Sequence, residues 1–265
     1  MNQNKKRSKS IEKHPIVAIV GCIHGDELIG KRVMEELKRI KLKKGKLITI
    51  IGNKKALRMK RRFVDQDLNR SFPGRSDGNY EQCLACDLKE NLCGADFVID
   101  IHSTVTDVKD LVIITKVNSE ILDLLNFFAP RRVALMTPDI GEKALTYYCK
   151  AGISLEYGKD KNMTVQRKVF RDIMIMLAKL DMIDYKFKKN SYKPEFYKIE
   201  GVIKKQKGFN LNDEVKNFKF VKKGALIASN KRKSEQAKKN FYPILFGKKS
   251  YQDIYGFAAK KVEKF

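Results

Sequence analysis

Only three histidines occur in this 265-residue chain, and two of them sit where a metal ion could use them. His24 closes Gly21-Cys22-Ile23-His24-Gly25-Asp26-Glu27, just after an apolar run, and His102 closes a second run, Phe97-Val98-Ile99-Asp100-Ile101-His102. Glu27 follows His24 at a spacing of three. Two imidazoles and one carboxylate make a ligand set of hydrolytic zinc sites, with a fourth position left open for water. A lone His-x-x-Glu arises often by chance; two of three histidines at the ends of apolar runs is a stronger signal. Asp100 lies two residues before His102, on the same face of an extended segment, where it is expected to hold a ligand imidazole through its second nitrogen. His14, before Pro15 in a basic stretch, carries no such expectation.

The cysteines offer a rival site. Cys83-x-x-Cys86, with Cys93 beyond, resembles half of a zinc or iron–sulfur set. The segment reads as helical and no second Cys-x-x-Cys exists, so helix packing is the favoured role.

The elements that must position His24 and His102 follow from patterning. Ile16 to Cys22 reads as a buried strand, being β-branched and uninterrupted. Glu27 to Ile40 reads as a helix with Leu28, Ile29, Val33, Leu37 and Ile40 on one face. Further strands are expected over Lys46 to Gly52, Ala95 to His102, Leu111 to Lys116, Arg132 to Met136 and Gly152 to Tyr157. Helices are expected over Asn79 to Asn91, from a Ser119 cap to Phe128, and over Thr164 to Ile183. Such alternation implies an α/β fold: a mixed, mainly parallel sheet with helices on both faces. Ligands in such sheets bind beyond the carboxyl ends of the strands, which is where His24 and His102 fall. The pattern changes near Tyr185. After a polar linker come short stretches, Phe196 to Ile203, Phe218 to Val221, Ala225 to Ala228, Tyr242 to Phe246 and Ile254 to Ala259, separated by Gly, Asn and Lys. The expected organisation is a basic flexible tail over 1–13, an α/β hydrolase domain over 14–187 and a β-rich C-terminal cap over 188–265.

Composition bounds the rest. Five cysteines in a chain this long do not form a disulfide framework and suit a reducing cytoplasm. No apolar stretch approaches a membrane span. A net charge of +25 would favour polyanion contact, yet lysine is spread along the chain and no nucleic-acid module is visible. No dedicated nucleic-acid or membrane partner is expected; homo-oligomerisation stays open.

With these residues in place, the chain resembles the succinylglutamate desuccinylase and aspartoacylase family of zinc carboxypeptidase-like hydrolases. Gly21 to Glu27 is similar to the family's Gly-x-x-His-Gly-(Asn/Asp)-Glu motif. Arg62-Phe63-Val64-Asp65-Gln66-Asp67-Leu68-Asn69-Arg70-Ser71-Phe72 is similar to its Arg-aromatic-x-x-x-Asp-Leu-Asn-Arg-x-Phe segment. Asp100 to Thr104 resembles the second zinc-binding segment, and Leu155-Glu156-Tyr157-Gly158 the one bearing the catalytic glutamate. Tyr242 through Tyr251 resembles part of a β-rich domain that covers the active-site entrance. The resemblance implies one zinc ion per chain held by His24, Glu27 and His102, with Glu156 as general base. It implies Arg62 facing the developing oxyanion, and Asn69, Arg70 and Tyr251 gripping a substrate carboxylate. One departure stands out: where family members carry an arginine for the acidic end of the substrate, ten residues before the catalytic glutamate, this chain has Thr146. The expected activity is zinc-dependent hydrolysis of the amide bond of an N-acyl amino acid or a similar small carboxylate-bearing amide. The alternatives are a zinc metallocarboxypeptidase acting on peptides and a non-catalytic polyanion-binding protein.

Overall fold

Ile16–Gly21 (β1) is buried along nearly its whole length, as its unbroken apolar run demands of a strand covered on both faces. The computed structural model describes residues 14–106, 108–188 and 193–265; the expected basic tail, residues 1–13, lies outside the described residues. In chain order, β1 is followed by the helix Ile29–Leu37 (α1), the strand Lys46–Ile51 (β2), and the helices Lys54–Met59 (α2) and Tyr80–Leu92 (α3). Then come Phe97–His102 (β3), Leu111–Ile114 (β4), Ser119–Phe128 (α4), Arg132–Leu135 (β5), Pro138–Gly141 (α5), Gly152–Glu156 (β6) and Met163–Lys179 (α6). The C-terminal strands are Glu195–Lys204 (β7), Asn210–Leu211 (β8), Leu226–Ser229 (β9), Ser234–Gln236 (β10), Tyr242–Ile244 (β11) and Ile254–Val262 (β12).

Nine strands form one sheet in the order β11-β12-β7-β5-β4-β6-β3-β1-β2. β2, β1, β3 and β6 run parallel, β4 pairs antiparallel with β6, and β5 and β7 continue parallel to β4. The period-2 alternation of β1 separates two cores. Val17 and Ile19 join Val33, Leu37, Leu124, Ile173 and Leu177 under α1, α4 and α6, while Ala18 and Val20 join Leu68, Ala85, Leu88 and Leu92 under α3 on the other face. The sheet is therefore mixed, mainly parallel and covered on both faces, as patterning implies.

The region after residue 187 is β-rich, with its own three-stranded sheet β10-β9-β8. β7 also pairs with β5, so the large sheet runs on across the expected boundary. Other details differ from the sequence expectation. Asn118, not Ser119, caps α4, accepting from the Ile121 N–H at 2.8 Å. Phe218 to Val221 is no strand: Phe218 has φ 65° and Val221 makes only an isolated bridge with Phe241. The short α2 escaped periodicity because it is a single amphipathic turn and a half, capped by the Asn53 side chain. Among the described residues, no helix is long and apolar enough to cross a membrane.

Candidate active site

The chain leaves β1 through Cys22, whose φ of 57° turns it sharply off the sheet edge. Gly25 then lies against α2: a Cβ there would stand 2.2 Å from the Ala56 carbonyl carbon, so only glycine permits this approach. The Glu27 N–H donates to the His24 carbonyl at 3.1 Å, closing a tight turn that folds both side chains toward one point. β3 delivers His102 alongside, and its register with β6 places Glu156 directly opposite His102.

At that point His24 Nδ1 lies 2.8 Å from Glu27 Oε1, and His102 Nδ1 lies 3.1 Å from Glu27 Oε2. One donor atom from each of the three residues falls within 4.8 Å of the other two, and all three residues are buried. The far nitrogens are also fixed: His24 Nε2 lies 3.1 Å from Asp67 Oδ1 and His102 Nε2 lies 2.6 Å from Asp100 Oδ2. This is the carboxylate–histidine arrangement that aims the free imidazole nitrogen at a metal. Its chemistry, two nitrogens and one oxygen backed by further carboxylates, fits a zinc-type dication. The carboxylates around the two imidazoles also set their protonation. Burial alone would lower the His102 pKa, but Asp100 and Glu27 hold it well above the ordinary range. Burial would likewise lower His24, and Glu27 and Asp67 together outweigh it. Burial would raise Glu27, yet the two imidazoles hold it well below the usual carboxylate range. The cluster favours positive charge at its centre.

The segment from Arg62 to Arg70 wraps one side. Arg62 donates from Nη1 to Glu27 at 3.1 Å, and from Nε and Nη2 to Asp67 Oδ2 at 3.3 and 3.1 Å. Those bonds use three of its five N–H groups, leaving two for the cavity it lines. Asn69 accepts from the Leu145 N–H at 3.1 Å and places its amide nitrogen 3.4 Å from His102 Nε2. The buried Glu81 carboxylate, from α3, holds the loop in place. It accepts from the backbone of Val64, Asp65 and Gln66 at 2.7, 2.8 and 3.3 Å, and from Asn53 Nδ2 at 2.9 Å.

Two adjoining cavities open on this corner and share His24, Arg62, Glu156, Leu245 and Tyr251. The outer one, about 450 Å³, is rimmed by Lys159 and Lys161; the inner, about 50 Å³, reaches Asn69, Arg70 and Thr146. Burial pushes the Glu156 carboxyl up to about 7, where a carboxylate can both take and return a proton. Burial also raises the Tyr251 phenol, so its hydroxyl stays protonated. Its ring packs edge-on against Phe257 at 5.5 Å.

The structure thus brings together His24, Glu27, His102, Glu156, Arg62, Asn69, Arg70 and Tyr251 around one pair of cavities. Cys83 and Cys86 stay apart from it: both lie on α3, and Cys83 Sγ points to the carbonyls of Ser76 and Gly78. No metal-binding group containing a cysteine occurs among the described residues. Sequence reasoning passed over Asp67 and Glu81. Asp67 sits inside the Asp-Leu-Asn-Arg run and was signalled only by that motif; Glu81, a carboxylate in the first turn of α3, gave no sign of being wholly buried.

Comparison with known proteins agrees with this geometry. The model of the succinylglutamate desuccinylase/aspartoacylase catalytic domain matches residues 13–180. A probable aspartoacylase of Nostoc sp. is 28% identical over 173 residues, 58% of this chain and 59% of that protein. The Danio rerio N-acyl-aromatic-L-amino acid amidohydrolase (carboxylate-forming) B is 27% identical over 203 residues, 66% of this chain and 64% of that one. The match therefore spans less than two thirds of either relative's length. Murine aminoacylase 3 superposes with a TM-score of 0.80 at 19% identity, covering 96% of this chain and 97% of that one. A Rhodobacter sphaeroides succinylglutamate desuccinylase/aspartoacylase gives 0.71 at 16% identity, covering 94% and 86%. At these identities the superpositions speak for the fold alone.

Proposed function

The chain belongs to the succinylglutamate desuccinylase/aspartoacylase family, and from that premise we propose that it is a zinc-dependent amidohydrolase of N-acyl amino acids. The observation that carries this reading is the meeting of two Nδ1 atoms and the Glu27 carboxylate beside Glu156. His24, Glu27 and His102 would hold one zinc ion per chain. A zinc ion bound there would lower the pKa of a water molecule toward ~7 and polarise the scissile carbonyl. Glu156 takes the proton of the attacking water and passes it to the departing amine, a double task suited to a carboxyl raised to about 7. The two spare N–H groups of Arg62 face the carbonyl oxygen as negative charge develops there. Arg70 and Asn69 grip the substrate carboxylate, a guanidinium fork matching it in two-point contact. The neutral Tyr251 hydroxyl adds a further donor.

Residues 188–265 act as the cap. Leu245 and Tyr251 line both cavities from the C-terminal side, narrowing the entrance. A narrowed site favours a small amide over a peptide chain. The similarity to an N-acyl-aromatic-L-amino acid amidohydrolase points the same way. All five cysteines are free, in keeping with a reducing cytoplasm. The test is a hydrolysis screen of N-acetyl amino acids and short peptides with zinc and with chelator, alongside Glu156→Gln. Zinc-dependent release of acetate, lost in the variant while its zinc content stays near one per chain, is the expected result. Peptide cleavage without deacylation, or full turnover by Glu156→Gln, would overturn the reading.

A further inference from the structure

β1 and β6 lie on either side of β3, and Glu27 stands beyond the end of β1, so no ladder bond fixes Glu27 relative to Glu156. The loop that follows Glu156 supplies the missing link, because it is clasped to both ligand-bearing segments. The Gly158 carbonyl accepts from the Thr104 N–H at 2.9 Å, just past His102. Asp160 Oδ1 accepts from the Ile29 N–H at 2.6 Å, just past Glu27. α1 has no cap of its own: Leu28 stands at its N-cap position without a side-chain hydrogen bond, and its first turn holds no acidic residue. Asp160, 131 residues away in sequence, supplies both the acceptor and the negative charge that a helix N-terminus favours. The bond is itself braced. Arg32 Nη2 lies 3.2 Å from Asp160 Oδ2, and the same nitrogen donates to the Asp160 carbonyl. Arg32 Nε donates to Gln166 Oε1 at 2.9 Å, and the buried Gln166 amide donates in turn to Glu36 at 2.6 Å. The base loop and the starts of α1 and α6 are thereby held as one piece.

We propose that Asp160 is a positioning residue: by capping α1 across the site, it fixes the spacing between Glu27, a metal ligand, and Glu156, the base. The inference rests on the amidohydrolase reading, which gives those two carboxylates their roles. Without an acceptor for its first N–H groups, α1 frays at the turn that adjoins Glu27, and the loop after Glu156 loses its hold on the ligand side. A displacement of about 1 Å at reacting groups is enough to cost ~10²-fold in rate. Both Asp160 oxygens face α1, one at the Ile29 N–H and one at Arg32, so this carboxylate serves the clasp although it also borders the outer cavity. Asn118 makes the matched control: its side chain caps α4 through an equivalent bond to the Ile121 N–H at 2.8 Å, on a helix that bears no site residue.

The test compares Asp160→Ala with Asn118→Ala in the full chain, by thermal unfolding, by zinc affinity in a chelator competition and by steady-state hydrolysis of an N-acetyl amino acid. Each loses one helix cap, so each should lower Tm by a similar amount, about 2–4 °C. Only Asp160→Ala should weaken zinc, by about 3- to 10-fold, and lower kcat at least about tenfold with KM within about twofold. Asp160→Asn keeps an oxygen for the Ile29 N–H and should return kcat to within about threefold of the wild type. Arg32→Met releases the brace but spares that bond; it should show both losses at about threefold, and it decides the matter by the same criterion should Asp160→Ala not fold. Zinc affinity and kcat no worse in Asp160→Ala than in Asn118→Ala, or an Asp160→Asn as impaired as Asp160→Ala, overturns the proposal. Zinc affinity is read without turnover. A wild type that hydrolyses nothing, with zinc weakened only by the Asp160 change, would sink the amidohydrolase reading and leave the clasp standing. Normal hydrolysis with both readings unmoved in Asp160→Ala would do the reverse.

Discussion

The metal corner and the inner recess share one opening yet are built on opposite principles. At the corner the charged groups are tied to one another. Glu27 alone meets His24, His102, Arg62 and the Ser103 N–H, the last at 2.9 Å. The recess adds apolar and small neutral residues to that corner, among them Ile113, Met136, Ile140, Thr115 and Thr146. A cross-linked charged network holds its geometry before any ligand arrives, which is what bond-breaking chemistry requires. Apolar and small neutral side chains instead set the shape of the space beside the charged groups, which is what discrimination by fit requires.

The sharpest way to break the comparison is to remove a ligand from the cross-linked side. His102→Ala should reduce zinc from about one per chain to under about a tenth, and turnover at least ~10³-fold, by elemental analysis and steady-state kinetics. Retained metal at full stoichiometry would detach the imidazole from the centre. Next in size is the layer behind the ligands. Asp67→Asn keeps the size of the side chain but removes the charge facing His24 Nε2 and Arg62, so zinc affinity should fall ~10- to 100-fold in a chelator competition. An unchanged affinity would mean that the imidazole is oriented by its packing alone.

A smaller effect is expected one layer further out. Glu81→Gln places an amide where one carboxylate accepts four N–H groups, so about 1–3 kcal/mol of stability should be lost in urea unfolding. The site should survive, with kcat/KM falling less than about tenfold, since the Glu81 hydrogen bonds go to Asn53 and the Val64–Gln66 backbone. A variant as stable as the wild type would show that the Val64–Gln66 loop is held by its other contacts.

These layers also mark how far the sequence could be read. β3 and β6 were legible because each is a largely apolar run whose last residue is the functional group, His102 and Glu156, and β1 because its unbroken apolar run stops at Gly21, three residues before His24. Asp67 and Glu81 were not, because their roles arise only when a loop and a helix distant in sequence are brought together. The pairing of β7 with β5 was hidden for the same reason, since a strand's neighbour is set by tertiary packing while its own pattern shows only that it is a strand. The recess was half visible: Thr146 stood out as a departure from a motif, whereas Thr115 was an unremarked residue at a strand end until the fold set the two on one wall.

The gentlest test lies where the two regions meet. Tyr251 lines both cavities, and its ring is held by Phe257 while its carbonyl accepts from Lys205 Nζ. Because burial raises the phenol pKa, the hydroxyl remains a neutral donor throughout the working pH range. Tyr251→Phe removes that donor and preserves the ring, so packing and zinc content should be unchanged. A hydroxyl that grips the substrate carboxylate in ground and transition states alike adds uniform binding, and its loss should raise KM about 3- to 10-fold with kcat nearly constant. If kcat falls instead while KM holds, the hydroxyl acts on the developing oxyanion beside Arg62, and Tyr251 belongs to the cross-linked corner rather than to the substrate-gripping side.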